Sequence, residues 1–329
     1  MPPSPKTTWQ LRTAPSHWPE IVASIRVAER LDPPDTAAVL DLIANVTDID
    51  DRAPLSEHVL LHLRHGGDEG GRHFLAMAGD DQIVGYAHLD VTDEVHGSSA
   101  ELAVDPGHRR QGIGRALVAA LIAASADGRL RLWAHGEQAA AAALANSLAF
   151  AHSRMLWQMR RSLLAPLPAD DLPPGLSMRT FIPGSDDAPW LALNARAFAN
   201  HPEQGEWTMT DLHQRMSEPW FSAAGFLLAV DDASADIIGF HWTKVHGRHS
   251  AHGHEAIGEV YVVGVDPAWH GRGLGRALTI AGLQHLRSLG LGQAMLYVDS
   301  TNSRAIGLYE SLGFTRWDTD VMYQLPPLT

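Results

Sequence analysis

Val265-Asp-Pro-Ala-Trp-His-Gly-Arg-Gly-Leu-Gly-Arg-Ala-Leu278 reads as a strand end, a Pro turn, a glycine-rich loop and a helix start. The same pattern, Val104-Asp-Pro-Gly-His-Arg-Arg-Gln-Gly-Ile-Gly-Arg-Ala-Leu117, lies 161 residues earlier. Gly271, Gly273 and Gly275 permit positive φ and clear side chains from the path of a ligand. Successive backbone N–H groups then converge on an anion, and the helix that follows adds its N-terminal partial charge. Arg272 and Arg276 supplement that charge. A lone Gly-x-Gly would be read as a tight turn. The Val-Asp-Pro lead-in, the trailing Arg-Ala-Leu and the duplication point instead to a diphosphate loop. The spacing does not fit a Rossmann fingerprint, and no Gly-Lys-Ser/Thr follows as in a P-loop.

The repeat extends outward from the loops. Phe74–Ala78 and Gln82–Val91, joined by Gly79-Asp-Asp, read as a hairpin. Phe226–Val230 and Ile237–Val245 read likewise, with Gly85 and Gly239 at matching places. After each loop come a helix, a strand (Arg129–Ala134 or Ala294–Asp299) and a second helix ending near Phe150 or Phe314. Ala165–Gly175 holds four prolines in eleven residues, which neither a helix nor a central strand accommodates. The expected organisation is an N-terminal domain over 1–165, a Pro-rich linker over 166–175 and a C-terminal domain over 176–329. Each domain is expected to be an α/β (α+β) mixed sheet flanked by helices.

The bulk composition narrows the chemistry. The length of 329 residues suits two domains. A formal net charge of −13 argues against a nucleic-acid partner. With no cysteine, disulfides, zinc–thiolate sites and a cysteine nucleophile are excluded. Met1–Trp9 lacks the apolar core of a signal peptide, and Ala116–Ala126 is too short to span a bilayer. These features predict a cytoplasmic protein, taken as a monomer, acting on a small molecule without a membrane partner. His246, His249, His252 and His254 read as a solvated loop rather than a metal site, and no metal is expected.

Together with Asn302-Ser-Arg-Ala-Ile-Gly-Leu-Tyr-Glu-Ser-Leu-Gly-Phe314, the second loop resembles the GCN5-related N-acetyltransferase superfamily. That resemblance implies two tandem domains of this fold, with acetyl-CoA as co-substrate and its pyrophosphate on the glycine loop. The family's Gln or Arg three residues before Gly-x-Gly is Arg109 in the first copy and His270 in the second, a departure. Phe198–Gly205, Gly239–Val245, Gly258–Pro267 and Trp133–Gly136 resemble more closely the tandem members that acetylate the cysteinyl amine of Cys-GlcN-inositol.

Acetyl transfer to an amine needs a base for the ammonium, donors for the developing oxyanion and an acid for the leaving thiolate. Glu259 opens the strand ending at Val265, and simple alternation puts Glu259, Tyr261, Val263 and Val265 on one face. Glu259 is the candidate base, also expected against the acceptor. Gly264 suits a bulge that frees an N–H for the thioester oxygen. The resemblance makes Tyr309 the acid, and places Val263, Gly264, Val265, His270, Gly271, Arg272, Gly273, Leu274, Gly275, Arg276 and Asn302 against acetyl-CoA. Asn302 is equally a helix cap. In the first copy the corresponding cofactor positions are Leu102, Ala103, Val104, Arg109, Arg110, Gly112, Gly114 and Arg115. There Ser98 and Ala145 stand where the second copy has Glu259 and Tyr309, and Glu101 is expected on the opposite face. The first domain should therefore bind acetyl-CoA without turning it over. The resemblance further implies Glu57, Glu203, Lys244 and Tyr297 as acceptor contacts, with Glu57 contributed by the first domain.

Overall fold

The computed structural model describes residues 23–67, 70–93, 97–125, 129–169, 171–199, 201–247 and 256–325. The chain forms two compact units, one of Met1–Met155 with Thr319–Thr329, the other of Leu156–Asp318.

The first unit runs β1 (Ser24–Ala28), α1 (Pro33–Asp50), α2 (Glu57–His65), β2 (Arg72–Met77), β3 (Ile83–Asp90), β4 (Ser98–Val104), α3 (Ile113–Ala124), β5 (Leu130–Ala134) and α4 (Ala139–Ser147). The strand β6 (Ala151–Ser162) then leads into the second unit. That unit holds β7 (Leu176–Thr180), α5 (Asp187–Ala197), α6 (Pro202–Gly205), α7 (Met209–Ser217), β8 (Phe226–Asp231), β9 (Ile237–His246) and β10 (Ile257–Val265). It continues through α8 (Leu274–Ser288), β11 (Gln293–Asp299) and α9 (Ser303–Ser311) to β12 (Thr315–Gln324).

The strands in the first unit lie in the order β1-β2-β3-β4-β5-β12, and in the second β6-β11-β10-β9-β8-β7. Each sheet is antiparallel except for one parallel pair, β4 with β5 and β10 with β11. The last strand of each half is exchanged. Val321–Gln324 of β12 pair with β5 in the first unit, and Leu156–Ser162 of β6 pair with β11 in the second. The units therefore do not follow boundaries at 165 and 176. The Pro-rich stretch connects β6 to β7 without regular structure in its described residues, and the change of unit falls inside β6.

Each sheet is sandwiched between helices. In the first unit α3 and α4 cover one face, through Ala116, Leu117, Leu121 and Ala145, while α1 and α2 cover the other through Val39, Ile43, Val59 and Leu63. In the second, α8 packs Ile280, Leu283 and Leu286 on one face, and α5 and α7 pack Trp190, Leu193 and Leu212 on the other. Burying these faces is the main favourable term in each unit. The matched hairpin glycines have a common reason. A Cβ on Gly85 would press on Ile113 and Leu117 of α3, and one on Gly239 on Leu274 and Leu278 of α8. Their absence lets the helix after each glycine loop settle on its strand. Among the described residues, no helix is long and apolar enough to cross a membrane.

Candidate active site

Both glycine loops have the same construction. The Asp of each Asp-Pro turn caps it, Asp266 accepting from the Ala268 N–H at 3.0 Å and Asp105 from the Gly107 N–H at 2.9 Å. Gly273 and Gly112, both at φ +84°, are the residues from which α8 and α3 start. Gly271 is also left-handed at φ +79°, whereas the first copy puts Arg110 there at φ +65°. That is a costlier conformation for a residue with a Cβ. Gly275 and Gly114 are helical, so positive φ is a property of the loop positions alone. A Cβ on Gly271 or Gly273 would meet nothing within 4 Å, so these two positions face open space. That openness, at a helix N-terminus with unpaired N–H groups, fits a diphosphate.

The departure at His270 is explained by its bond. His270 Nε2 lies 3.1 Å from the Val265 carbonyl, and Arg109 Nε donates to the Val104 carbonyl at 3.3 Å. Either side chain ties its loop to the preceding strand end. The Arg109 guanidinium is also paired with Asp50, at 2.9 and 2.7 Å. Arg276 and Arg115 donate to Ser311 and Ser147, each at 2.7 Å, and so tie α8 to α9 and α3 to α4. Arg272 stacks 4.6 Å from the Trp269 ring centroid. Leu274 is buried against the sheet. Asn302 caps α9, accepting from the Ala305 N–H at 3.1 Å.

The strand that carries Glu259 departs from simple alternation. The ladder between β10 and β9 shifts between Val260 and Val262, leaving Tyr261 as an inserted residue. Val260 and Val263 consequently pack toward α8, while Tyr261 and Val262 pack toward α5 and α7. Glu259 lies directly across from Lys244, whose Nζ sits over the Trp220 and Tyr261 rings at 4.7 and 5.1 Å. Directly paired residues share a face, so Glu259 lies with Tyr261 on the α5/α7 side, and Val263 and Val265 lie on the other. The expected single face for all four is corrected by the bulge. The bulge is also not at Gly264, which pairs in register with Phe240. A Cβ there would collide with the Phe240 ring and press on Phe198, so close aromatic packing is what requires this glycine.

Parallel pairing of β10 with β11 holds at Gly258/Ala294 and Glu259/Met295 and goes no further among the described residues. Glu259 thus stands where the two strands part. Tyr309 packs on the opposite side of the sheet, in the cluster with Val260, Val263 and Leu296, its ring centroid 5.8 Å from that of Phe314. The two proposed proton-handling groups flank the parting strands from opposite faces. Burial pushes the Tyr309 phenol up to about 12, so it keeps its proton at neutral pH.

Glu259 is buried, and burial alone would raise its pKa. A hydrogen bond from His246 at 2.5 Å, with the charges of His246 and Lys244, outweighs that and holds the carboxyl below its ordinary value. His246 is therefore the last residue of β9 and a partner of Glu259, not part of a solvated loop. His249, His252 and His254 lie outside the described residues. The signal in the sequence was available only through strand pairing, which brings residues 246 and 259 to neighbouring strands.

The expected acceptor residues divide. Lys244 and Tyr297 share the Glu259 face, since Tyr297 is two residues past Met295 on β11. The Tyr297 hydroxyl accepts from Gln158 at 2.7 Å. Glu203 lies on α6, with its side chain outside the described set. Glu57 is the first residue of α2, in the other unit.

In the first unit the register places Ser99, not Ser98, at the position of Glu259, because β4 has no residue matching Tyr261. Ser99 pairs with Asp90 as Glu259 pairs with Lys244. Glu101 is on the α1/α2 face, equivalent to the Glu259 face, and not opposite to it: its carboxylate accepts from the Ser56 N–H and meets His135 Nε2 at 3.2 Å. Ala145 is buried on α4 where α9 carries Tyr309.

Models of known families match the chain twice, the acetyltransferase (GNAT) family over residues 190–314 and an acetyltransferase (GNAT) domain over residues 69–150. A mycothiol acetyltransferase of Acidothermus cellulolyticus is 55% identical over 92% of this chain and 95% of its own length. The enzyme of the same name from Streptosporangium roseum is 54% identical over 90% and 97%. Among solved structures, a tandem GNAT protein from the clavulanic acid biosynthesis pathway superposes with a TM-score of 0.67 at 20% identity, covering 93% of this chain and all of that one. A GCN5-related N-acetyltransferase from Sphaerobacter thermophilus gives 0.65 at 24%, covering 92% and 97%. At those identities the structural likeness establishes the fold: two GNAT domains in tandem. The sequence relatives go further, since more than half of the residues are identical over at least nine-tenths of the chain: the chain belongs to the mycothiol acetyltransferase family.

Proposed function

We propose that this acetyltransferase moves the acetyl group of acetyl-CoA onto the cysteinyl amine of Cys-GlcN-inositol, giving mycothiol, and that residues 176–329 carry the chemistry. The observation that supports this reading best is Glu259: a buried carboxylate, held ionised, where β10 and β11 separate on the strand that leads to the glycine loop. Acetyl-CoA, when bound, supplies the acetyl group as an activated thioester. The loop N–H groups from His270 to Gly275 hold its diphosphate, and the backbone of Val263, Gly264 and Val265 lines the way to the reacting carbon. Glu259 takes the proton of the acceptor ammonium, directly or through a water, which an ionised carboxylate can do at neutral pH. Tyr309, protonated and on the other side of the sheet, gives a proton to the departing sulfur.

Lys244, Tyr297 and Glu203 are the proposed contacts to the polyol part of the acceptor, and Glu57, implied by the resemblance as a further contact, belongs to the other unit. The first unit is proposed to bind acetyl-CoA through Leu102–Val104, Arg109, Arg110, Gly112, Gly114 and Arg115 without transfer, because Ser99 and Ala145 cannot move protons as Glu259 and Tyr309 do. A monomer in the cytoplasm, without metal, nucleic acid or membrane partner, completes the proposal. The purified protein should consume acetyl-CoA with Cys-GlcN-inositol and release free CoA. Turnover confined to a protein N-terminus or an aminoglycoside would sink the acceptor assignment. Tight acetyl-CoA binding with no acetylation of any offered amine would favour a non-catalytic acyl-CoA sensor.

A further inference from the structure

The carboxylate that is proposed to take the proton has a partner that no part of that proposal uses. Glu259 Oε2 lies 2.5 Å from His246 Nε2. An ionised carboxylate only accepts hydrogen bonds, so the imidazole must carry its hydrogen on Nε2 and donate it. His246 is the last residue of β9 and Glu259 the third of β10, and the antiparallel register sets Ile257 across from His246 and Lys244 across from Glu259. The His–Glu pair is therefore a diagonal one, spanning two residues along the ladder, on the face that also carries Lys244. The ring is about one-third exposed while the carboxylate is only one-tenth exposed. The imidazole is thus the more exposed member of the pair.

Among the described residues, the charged groups acting on Glu259 are His246 and Lys244 of β9. Arg215 of α7 is engaged elsewhere: its Nε donates to the Tyr261 hydroxyl at 3.0 Å and its guanidinium covers the Trp207 ring. Arg160 of β6 stands two strands away in the same transverse row, across from Met295, and lies over the Trp317 ring. Lys244 is itself turned onto two aromatic rings. Among the described residues, His246 is the side chain hydrogen-bonded to the Glu259 carboxylate, and so it fixes the direction of that group.

We propose that His246 is a positioning residue for the acetyl transfer. By binding Oε2 it aims Oε1 at the acceptor amine and keeps the carboxylate ready to take a proton. The inference rests on the reading of Glu259 as the base, and no bond to His246 is made or broken in the reaction.

The test is the pH dependence of kcat in His246→Ala and His246→Gln, with Glu259→Gln as reference and the full chain throughout. Loss of a hydrogen bond to a charged group should lower kcat at neutral pH by about ten- to a hundredfold. Without its donor the Glu259 carboxyl titrates higher, so the acidic limb of the His246→Ala profile should move to higher pH and the deficit should narrow there. The KM for acetyl-CoA should not change. His246→Gln, whose amide N–H can replace the donor, should recover most of the rate. A uniform loss of rate with an unmoved limb, or full activity in His246→Ala, overturns the positioning role while leaving Glu259 as base. Full activity in Glu259→Gln overturns both.

Discussion

One row of residues across each sheet shows how differently the two units use the same backbone. In the first unit His73 pairs with His88, and His88 with Glu101. At the same register in the second unit, Phe226 pairs with Trp242, and Trp242 with Val262. The aromatic row is dry packing: Phe226 stacks on Trp242 with centroids 4.4 Å apart, and Trp190 meets both rings edge-on. The other row is equally buried yet titratable throughout. It continues to His135, held between Glu101 at 3.2 Å and Asp320 at 2.9 Å. A duplicated fold has thus kept its glycine loops while exchanging apolar and ionisable groups at one register of its sheets. In the first unit the carboxylate is committed to an internal imidazolium. In the second, an apolar row leaves Glu259 with His246 and Lys244 beside it and the parting strands ahead.

The comparison is most exposed to paired carboxylate variants. Glu259→Gln should lower kcat by about a hundred- to ten-thousandfold with acetyl-CoA affinity nearly intact. Glu101→Gln should leave kcat unchanged and lower the melting temperature. Steady-state rates with Cys-GlcN-inositol and calorimetric titration with acetyl-CoA decide it, and loss of kcat in Glu101→Gln would break the division of labour. Next in size is Tyr309→Phe, expected to lower kcat about ten- to a hundredfold. Because the phenol titrates near 12, the parent enzyme should show no loss of this acid up to about pH 10. Full activity in Tyr309→Phe removes the acid role.

The loops give a third, smaller contrast. Valine at φ +84° is strained, so Gly273→Val and Gly112→Val should each weaken acetyl-CoA at its own loop by about tenfold. Only Gly273→Val should raise the KM for acetyl-CoA. If titration shows one binding event in the parent and Gly112→Val does not alter it, the first loop does not hold the cofactor.

The mildest effect is on stability against pH. Carboxylates raise His135 to about 10 despite its burial, whereas burial lowers His73 to about 4 and His88 to about 3. A raised histidine stabilises fully below its unfolded value near 6.5, and the gain is lost as pH rises through about 10. Lowered histidines act with the opposite sign, since the unfolded chain binds their protons first as pH falls from about 6.5 toward 4. Thermal melting of the first unit should therefore decline on both sides of neutrality. Replacing His135 with Gln should lower the melting temperature and flatten the alkaline decline selectively. An unaltered alkaline slope would mean that the imidazolium contributes nothing.

Most of the strands and helices were legible because proline, glycine and period-two runs mark them locally. Val265-Asp-Pro, the hairpin turns and Gly85 with Gly239 each act through their own neighbours. The bulge at Tyr261 was not legible, since one inserted residue leaves the strand's composition unchanged while reversing the faces beyond it. That single insertion hid both the true facing of Glu101 and the position of Ser99. His246 was obscured for a related reason, because its meaning depends on a partner thirteen residues away across a strand pair. The exchange of β6 and β12 was invisible for a stronger one: nothing local distinguishes a last strand that closes its own sheet from one that closes the other.

That exchange bears on how the molecule comes into being. As the chain emerges from the ribosome, the first unit has β5 in place but must wait for Val321–Gln324, which are synthesised only after the second copy of the repeat. Until then the open side of β5 is a sheet edge, with unpaired backbone groups able to recruit another strand. A fragment ending at the Pro-rich stretch would keep that edge open and send its own β6 out in search of β11. Expressed alone, it should associate with itself or aggregate rather than behave as a half-sized protein. The duplication is in this sense a folding requirement: each copy of the repeat finishes the other, and a strand made after the second glycine loop completes the first sheet.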